Sequence, residues 1–184
     1  YGIVGCAVGA AFAVLIAEEL FASGCRLLIS VTSAGQIAPL LAPPYFVVID
    51  RALRDEGTSY HYLPPSEYSE ADKRLTQLAE EALSAATIPF RVGATWTTDA
   101  PFRETQEAID AALQAGILAV EMEAAALYAF AKACGRKVIC LAHVTNQMGR
   151  VEGDFEKGAA DGAKESLHVV SLAAERWRSA ETMI

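Results

Sequence analysis

The sequence predicts an α/β fold, a single domain over residues 1–184 with a mainly parallel sheet covered by helices on both faces. Three observations lead to this prediction. Short β-branched apolar runs alternate with segments of helical spacing. The apolar runs are unbroken, as in strands that are buried on both faces. The 184 residues have the length of one domain and contain no linker, repeat or low-complexity tract.

The predicted elements follow one another as alternating helices and strands. Helices are predicted where apolar residues recur at helical spacing, and three of these segments end at a glycine. The predicted helices are residues 9–22, 70–86, 104–115, 121–134 and 155–178. Strands are predicted at the short apolar runs, which are residues 26–32, 45–50, 90–95, 117–120 and 137–144.

The composition excludes several classes of protein. Hydrophobic residues make up 53% of the chain, which excludes a disordered protein. The formal charge of −8, without a run of Lys or Arg, argues against indiscriminate nucleic-acid binding. The most membrane-like stretch, residues 8–21, is short for a bilayer and contains Glu18 and Glu19. We therefore expect a cytoplasmic protein without a membrane segment or a signal peptide, and with reduced cysteines. No two histidines have metal-ligand spacing, so we predict no metal site.

Polar clusters follow four of the predicted strands. They are residues 33–36, 96–99, 121–123 and 145–147. Ligands of parallel α/β sheets gather outside the carboxyl ends of the strands. If these strands are parallel, the four clusters therefore share one edge of the sheet, and that edge is the candidate site.

Each cluster has a functional and an ordinary interpretation. The turn at Ser33 supplies hydroxyl and backbone N–H donors that can hold an anion or a water, or it is a common Ser/Gly turn. Glu121 and Glu123 begin a helix, where acidic residues are favoured by the helix dipole, but Glu123 could also accept hydrogen bonds from two adjacent sugar hydroxyls. Asn146 offers an amide that could bind a heterocyclic base, or it is a turn residue.

Aromatic residues lie on the loop that follows the strand at 90–95. Trp96 and Phe102, with Arg103 beside them, could stack on a base or could pack locally. His61 lies in another polar loop, Gly57-Thr58-Ser59-Tyr60-His61-Tyr62.

Four segments in the same order resemble the purine nucleoside and uridine phosphorylase superfamily, which includes nucleosidases. The likeness covers nearly the whole chain, and its most specific part is the Glu-Met-Glu element that enters an Ala-rich helix. The segments are ISVTSAGQ at 29–36, ATWTTDAPFRET at 94–105, VEMEAAALY at 120–128 and VTNQMG at 144–149. The segment RDEGTSYHY at 54–62 resembles the uridine-phosphorylase-like branch.

The resemblance implies a fold and an activity. The fold is a three-layer α/β sandwich around a mixed, partly barrel-like sheet, and members form homo-oligomers. The activity is cleavage of the N-glycosidic bond of a ribonucleoside by phosphate, giving a free base and ribose 1-phosphate. The only co-substrate is inorganic phosphate, with no cofactor. Two alternatives stay open: a nucleosidase that uses water, and a non-catalytic relative that binds a nucleoside or base.

The resemblance also implies roles for individual residues. Ser33 matches the residue that binds phosphate or the attacking water. Met122 packs against the ribose, and Glu123 holds its 2′ and 3′ hydroxyls. Phe102 lies near the position of the base-stacking aromatic, and Asn146 replaces the Asp that acts as general acid in many purine-cleaving members. Further substrate contacts are expected from Ala34, Gly35, Trp96, Thr97, Arg103, Glu121 and His61.

The sequence departs from the family pattern at the phosphate end. Phosphorylases usually have an Arg three residues before the position of Ser33, and here that residue is Ser30. The family also carries an N-terminal strand pair with a glycine-rich phosphate loop. Because residues 2–9 already lead into the first helix, we expect this segment to be absent.

Overall fold

Residues 1–147, 160 and 162–182 are described by the computed structural model. Within them, five helices are interleaved with six strands. The helices are α1 (Ala10–Ala22), α2 (Lys73–Ala85), α3 (Gln106–Gln114), α4 (Ala124–Cys134) and α5 (Ala163–Thr182). The strands are β1 (Leu28–Gln36), β2 (Tyr45–Asp55), β3 (Tyr68–Glu70), β4 (Phe90–Thr98), β5 (Ile117–Glu121) and β6 (Val138–Asn146).

Every predicted helix and strand has a counterpart, with differences at the ends. Strands β1, β2, β4 and β6 continue past their apolar runs into polar residues, because the ladders continue there: Gly35 pairs with Asn146, Arg54 with Thr97 and Asp55 with Thr98. The prediction of a turn at Ser33 is therefore wrong, because residues 33–36 belong to β1. The short strand β3 was not predicted. The predicted helix 155–178 corresponds to α5, and residues 155–159 and 161 of that prediction lie outside the described residues.

The six strands form one sheet in the order β3-β2-β4-β5-β1-β6, and β6 also pairs with β2. The sheet therefore closes on itself as a barrel. The closure depends on β2. Along one edge of β2, residues 45–48 pair with β6 and residues 51–53 pair with β3. Strand β4 pairs along the other edge. The β1–β6, β2–β4 and β4–β5 ladders are parallel, and β1–β5, β2–β3 and β2–β6 are antiparallel. The prediction of a mixed α/β fold is confirmed.

Helices pack on both faces of the sheet because successive side chains of a strand point to opposite faces. In β2, Tyr45, Val47 and Ile49 belong to the apolar cluster formed with α1 and α4. Phe46 and Val48 belong to the cluster formed with α2 and α5. A third cluster joins α3 to β4 and β5.

Helix α4 is packed against its surroundings along its first seven residues. Its residues 124–130 are all buried. The Tyr128 hydroxyl donates to the Ile49 carbonyl at 2.6 Å and accepts from the Cys140 amide at 3.1 Å, which ties the helix to β2 and β6. The helix ends at Gly135, whose φ of 62° is the left-handed conformation that glycine adopts readily. The amino end of α4 is consequently held in one place relative to the sheet.

Candidate nucleoside-binding site

Two pairs of parallel strands, β1 with β6 and β4 with β5, run in opposite directions, and their carboxyl ends meet at the candidate site. In β1 and β6, which are parallel, Ser33 pairs with His143 and Gly35 with Asn146. Strand β5 runs antiparallel to β1, with Gly35 opposite Val120. The condition for one shared edge, that all four strands are parallel, therefore holds within the pairs β1–β6 and β4–β5 but not between β1 and β5. The clusters come together because the ends of oppositely directed strands overlap at Gly35.

Ser33 lies on the β1 side of this overlap. Its side chain is exposed, and its Oγ is 2.9 Å from the Oγ1 of Thr145 on β6. The next residues, Ala34 and Gly35, are buried in the sheet, at an irregularity of the β1–β6 ladder. Asn146, the last residue of β6, is half-buried. The Ser33–Thr145 hydroxyl pair and Asn146 thus lie near the ends of β1 and β6, on one side of the overlap.

The other side of the overlap is the junction between β5 and α4. Glu121 ends β5, its side chain is 3% exposed, and its carboxylate accepts from four protein donors. Oε1 accepts from the Thr95 hydroxyl at 3.2 Å and from the Thr97 hydroxyl. Oε2 accepts from the amides of Glu123 at 2.7 Å and Ala124 at 2.8 Å. Glu121 therefore takes the place of an N-cap residue for α4.

Glu123 follows Met122 at the start of α4, and its carboxylate has a different environment. The residue is 4% exposed, and Oε1 accepts from the Gly9 amide at 2.7 Å. Oε2 is buried and has no hydrogen-bond partner among the described residues. A buried carboxylate oxygen without a donor is costly for a folded protein. Hydroxyl groups of a ligand are the kind of donor that would satisfy it.

Burial is the main cause of an unusual pKa at Glu121. Removal from water raises the pKa of Glu121 from 4.5 to about 7, and the Glu123 charge acts in the same direction. The bonds from Thr97 and from the Glu123 and Ala124 amides lower the pKa, but by less than burial raises it. Burial also raises the pKa of the neighbouring Tyr128 and Cys140 well above their ordinary values, so both stay neutral near pH 7.

This pKa predicts a pH-dependent stability. From about pH 4.5 to about pH 7, folded Glu121 keeps a proton that the unfolded chain has lost. The contribution of Glu121 to stability therefore falls as the pH rises through this window, by ~1.4 kcal/mol for each pKa unit. Urea unfolding of the wild type and of Glu121→Gln across the window should show the wild type losing stability relative to the variant. Parallel pH profiles of the two proteins would contradict the prediction.

The structure places the predicted residues of β4 in the core. Trp96 is buried, and its indole N–H donates to Asp55 Oδ2 at 2.9 Å. Thr97 is fully buried, donates to Glu121, and accepts from the Ala125 amide at 3.0 Å. Its one hydroxyl hydrogen is already used in the bond to Glu121, which argues against Thr97 as a hydrogen-bond donor to a substrate. Both residues are therefore buried next to the site and bind other protein side chains, Asp55 and Glu121 respectively.

The predicted loop residues lie on the surface. Phe102 is 100% exposed, and Arg103 beside it is also exposed, in a single 3-10 turn (Pro101–Arg103). His61 is exposed at the end of another 3-10 turn (Thr58–His61). None of these three side chains makes a hydrogen bond to Glu123 or Ser33 within the described part of the chain. Their substrate contacts stay predictions.

Three residues of the site were not predicted from the sequence. Gly9 supplies the amide that holds Glu123, and its φ of 90° is left-handed, a conformation that favours glycine. Thr95 and Asp55 hold Glu121 and Trp96, respectively. Only Gly9 carried a signal, as a glycine directly before an Ala-rich helix. The hydroxyl and carboxylate partners depend on strand pairing, which the local sequence does not encode.

Metal-binding clusters and membrane spans are both absent from the part of the chain that the structure describes. In the described residues, no group of three or more His, Cys, Asp and Glu side chains is arranged to hold a metal ion. No helix within the same residues combines the length and the apolar character that crossing a membrane requires.

Comparison with known proteins identifies the family. Residues 2–176 match the model of the phosphorylase superfamily. The uridine phosphorylase of Thermococcus kodakarensis is 28% identical over 182 residues, which cover 89% of this chain and 65% of that protein. A DeoD-type purine nucleoside phosphorylase of Myxococcus xanthus is 30% identical over 149 residues, covering 79% of this chain and 62% of that protein. A DeoD-type 1 enzyme of Shewanella oneidensis is 28% identical over 176 residues, covering 94% of this chain and 73% of the enzyme.

The chain thus spans slightly less than two thirds of the length of the first two relatives. The family match, in contrast, covers nearly all of its 184 residues. It includes all the elements that form the overlap of β1, β5 and β6 and the start of α4. The chain belongs to the phosphorylase superfamily.

Proposed function

We propose that this chain cleaves the N-glycosidic bond of a ribonucleoside with inorganic phosphate, giving a free base and ribose 1-phosphate. The observation that carries the proposal is the Glu123 carboxylate. It is buried, rigidly placed at the start of α4, and has one oxygen without a donor among the described residues. The names of the similar proteins, uridine phosphorylase and purine nucleoside phosphorylase, support the same reaction.

The chemistry needs a group that binds the sugar more tightly as the bond breaks. A phosphate oxygen forms a bond to the anomeric carbon, the carbon–nitrogen bond breaks, and its electron pair leaves with the base. The sugar is oxocarbenium-like in the transition state. A carboxylate that accepts from the 2′ and 3′ hydroxyls stabilises this positive charge more than it stabilises the neutral substrate. Glu123 is the residue we assign to this role, with half-buried Met122 packing against the ribose.

The leaving base needs donors and a proton. The carboxamide of Asn146 can donate a hydrogen bond to the base as negative charge develops, but it cannot give up a proton. The base is therefore protonated by water in this proposal. We further propose that Phe102 stacks on the base, and that Arg103, Trp96, Thr97, Glu121 and His61 line or support the site.

Phosphate is assigned to the end of β1 at Ser33, Ala34 and Gly35. The amino end of α4, which would otherwise attract an anion, is already occupied by the Glu121 carboxylate. The Ser33 hydroxyl, paired with Thr145, is the exposed donor on the opposite side of the overlap. No cofactor beyond inorganic phosphate enters the proposal.

One observation favours a nucleosidase as the second candidate. The residue three positions before Ser33 is Ser30 rather than a cation. Within residues 1–147, 160 and 162–182, the hydrogen-bond partner of the Ser33 side chain is the Thr145 hydroxyl and no guanidinium. A hydroxyl pair of this kind can hold a water as readily as a phosphate oxygen. A non-catalytic relative that binds a nucleoside or base is the third candidate.

Base release measured on a panel of purine and pyrimidine ribonucleosides, with and without phosphate, separates the three candidates. We expect release that depends on phosphate and saturates with it. Release at the same rate without phosphate would replace the phosphorylase with the nucleosidase. Binding of a nucleoside without release would favour the non-catalytic relative, and neither binding nor release would overturn the whole proposal.

Several broader features belong to the same proposal. We propose one domain over residues 1–184, in a three-layer arrangement with α1 and α4 on one face and α2 and α5 on the other. We also propose a homo-oligomer, because α1 exposes Phe12 and Leu15 on a helix that is apolar nearly all round. Light scattering that shows only a monomer at micromolar concentration would contradict it. The location we propose is the cytoplasm, with no nucleic-acid or membrane partner.

A further inference from the structure

Glu121 and Glu123 are two residues apart, yet their carboxylates differ in every contact. Glu121 accepts from four protein donors and is 3% exposed. Glu123 accepts from one donor, the Gly9 amide, and keeps Oε2 without a partner in the described residues. The first carboxylate is saturated by the protein, and the second has capacity for a ligand.

The saturated carboxylate controls where α4 begins. The first amides of the helix, those of Glu123 and Ala124, both donate to Glu121 Oε2. The next amide, that of Ala125, donates to the Thr97 hydroxyl, which in turn donates to Glu121 Oε1. Three of the N–H groups at this helix start, those of Glu123, Ala124 and Ala125, are thus bound to one carboxylate–hydroxyl unit.

Because Glu121 and Thr97 accept from the first amides of α4, the Glu123 side chain is not needed as a cap. Glu123 occupies the N-cap position of α4, but its side chain makes no capping hydrogen bond. Since Glu121 and Thr97 satisfy the helix amides, the Glu123 carboxylate is left to reach the Gly9 amide and to present Oε2. Its position depends on the backbone that Glu121 holds.

We propose that Glu121 is a positioning residue: it does not contact the nucleoside but fixes the first turn of α4 and thereby aims the Glu123 carboxylate at the ribose hydroxyls. This inference rests on the proposed ribonucleoside cleavage, and it replaces a direct substrate contact for Glu121 with an indirect role. A sugar hydroxyl could reach Glu121 only by displacing one of its four donors. Glu123 offers the same chemistry without that loss.

A double-mutant cycle on the full chain distinguishes positioning from contact. Glu121→Ala should lower kcat/KM for a ribonucleoside by about 10²-fold, as expected for misplacement of a binding group by ~1 Å. It should lower kcat/KM for the 2′-deoxyribonucleoside much less, because one of the hydroxyls held by Glu123 is missing there. In a Glu123→Ala background, adding Glu121→Ala should cost less than about twofold, because residues that act as a unit are not additive.

Two variants and one measurement guard against simple misfolding. Glu121→Gln keeps a carbonyl oxygen for the Glu123 and Ala124 amides and should recover most of the activity lost in Glu121→Ala. Thr97→Val removes the bridge to Ala125 and one donor to Glu121 Oε1, but it leaves the bonds from the Glu123 and Ala124 amides to Glu121 Oε2. It should show a smaller, equally ribose-selective loss. Amide hydrogen exchange without nucleoside should be faster at Ala124 in Glu121→Ala than in the wild type, and close to wild type in Glu121→Gln.

Equal losses of kcat/KM for the ribo and deoxyribo substrates in Glu121→Ala would overturn the positioning role. Fully additive effects of Glu121→Ala and Glu123→Ala on kcat/KM would also overturn it, because they would indicate a direct contact of Glu121 with the substrate. A wild-type chain that cleaves no nucleoside would overturn the proposed function instead. The positioning role would then be decided by amide exchange alone, and unchanged exchange at Ala124 in Glu121→Ala would refute it.

Discussion

Replacing Glu123 with alanine should lower kcat/KM for a ribonucleoside by about 10²–10³-fold, the usual consequence of removing one group that stabilises developing charge. The variant loses the carboxylate that we assign to the ribose hydroxyls, together with the bond from the Gly9 amide. The fold should remain, because deleting the carboxylate also removes a buried oxygen that has no partner among the described residues. Steady-state kinetics and circular dichroism of the purified variant check both parts.

A matched control for this substitution is Glu107→Ala. Glu107 is also a glutamate in the first turn of a helix, α3, but it is exposed and outside the overlap of strand ends. Its replacement should leave kcat/KM within about twofold of wild type, as for most surface changes. A Glu123→Ala variant that folds and turns over as fast as Glu107→Ala would remove Glu123 from the site.

Replacing Phe130 with alanine should lower the free energy of unfolding by ~3–5 kcal/mol, the usual cost of deleting a buried aromatic ring. Phe130 is 0% exposed in α4. Its ring lies 5.7 Å from the Phe21 ring and 5.8 Å, edge-on, from the Tyr62 ring, measured between centroids. The deletion therefore leaves a cavity between α1, α4 and the turn that precedes Tyr62. Urea unfolding measures the loss.

Phe102→Ala is the same chemical change at a fully exposed position. It should change the free energy of unfolding by less than ~0.5 kcal/mol. If Phe102 stacks on the base, the same variant should raise KM by about threefold to tenfold, since aromatic stacking is worth ~0.5–1.5 kcal/mol. A strongly destabilised Phe102→Ala or a fully stable Phe130→Ala would contradict the assignment of core and loop.

The sequence predicted the elements well where their signals are local. Helix α4 was predicted from its Ala-rich run and from Gly135, which ends it with a left-handed φ. Strand β3 was missed because three residues, two of them polar, show no measurable periodicity. Periodicity does not reveal the barrel, because its closure joins β2 to β6, nearly a hundred residues apart. The local sequence of β2 and of β6 does not indicate that these two strands pair.

For the candidate site, too, the sequence shows features that are local but not those that depend on strand pairing. Ser33, Glu123 and Asn146 are candidates because they come shortly after apolar strands, and their roles come from the family resemblance; the strand ends do meet. They meet from opposite directions, since β1 and β5 are antiparallel. Trp96 and Thr97 follow a strand as well, yet they are buried and bound to Asp55 and Glu121. A polar residue in sequence does not reveal whether its partner is a ligand or another strand.

The two acidic residues of the Glu-Met-Glu element show how a helix start can serve binding. A carboxylate at this place is favoured by the helix dipole, and Glu121 takes that position. Glu123 therefore stays outside the capping network, and its Oε2 is buried without a hydrogen-bond partner among the described residues. One motif thus contains a carboxylate that the protein uses for its own structure and a second carboxylate that we propose for binding the ribose.

³¹P NMR of a ribonucleoside incubated with phosphate and the wild-type chain, with Glu123→Ala in parallel, tests directly whether the chain transfers the ribose to phosphate through Glu123. We expect a ribose 1-phosphate resonance that grows in equal amount with the free base in the wild type and is nearly absent in Glu123→Ala. Free base without a sugar phosphate, or equal amounts of ribose 1-phosphate from both proteins, would contradict it.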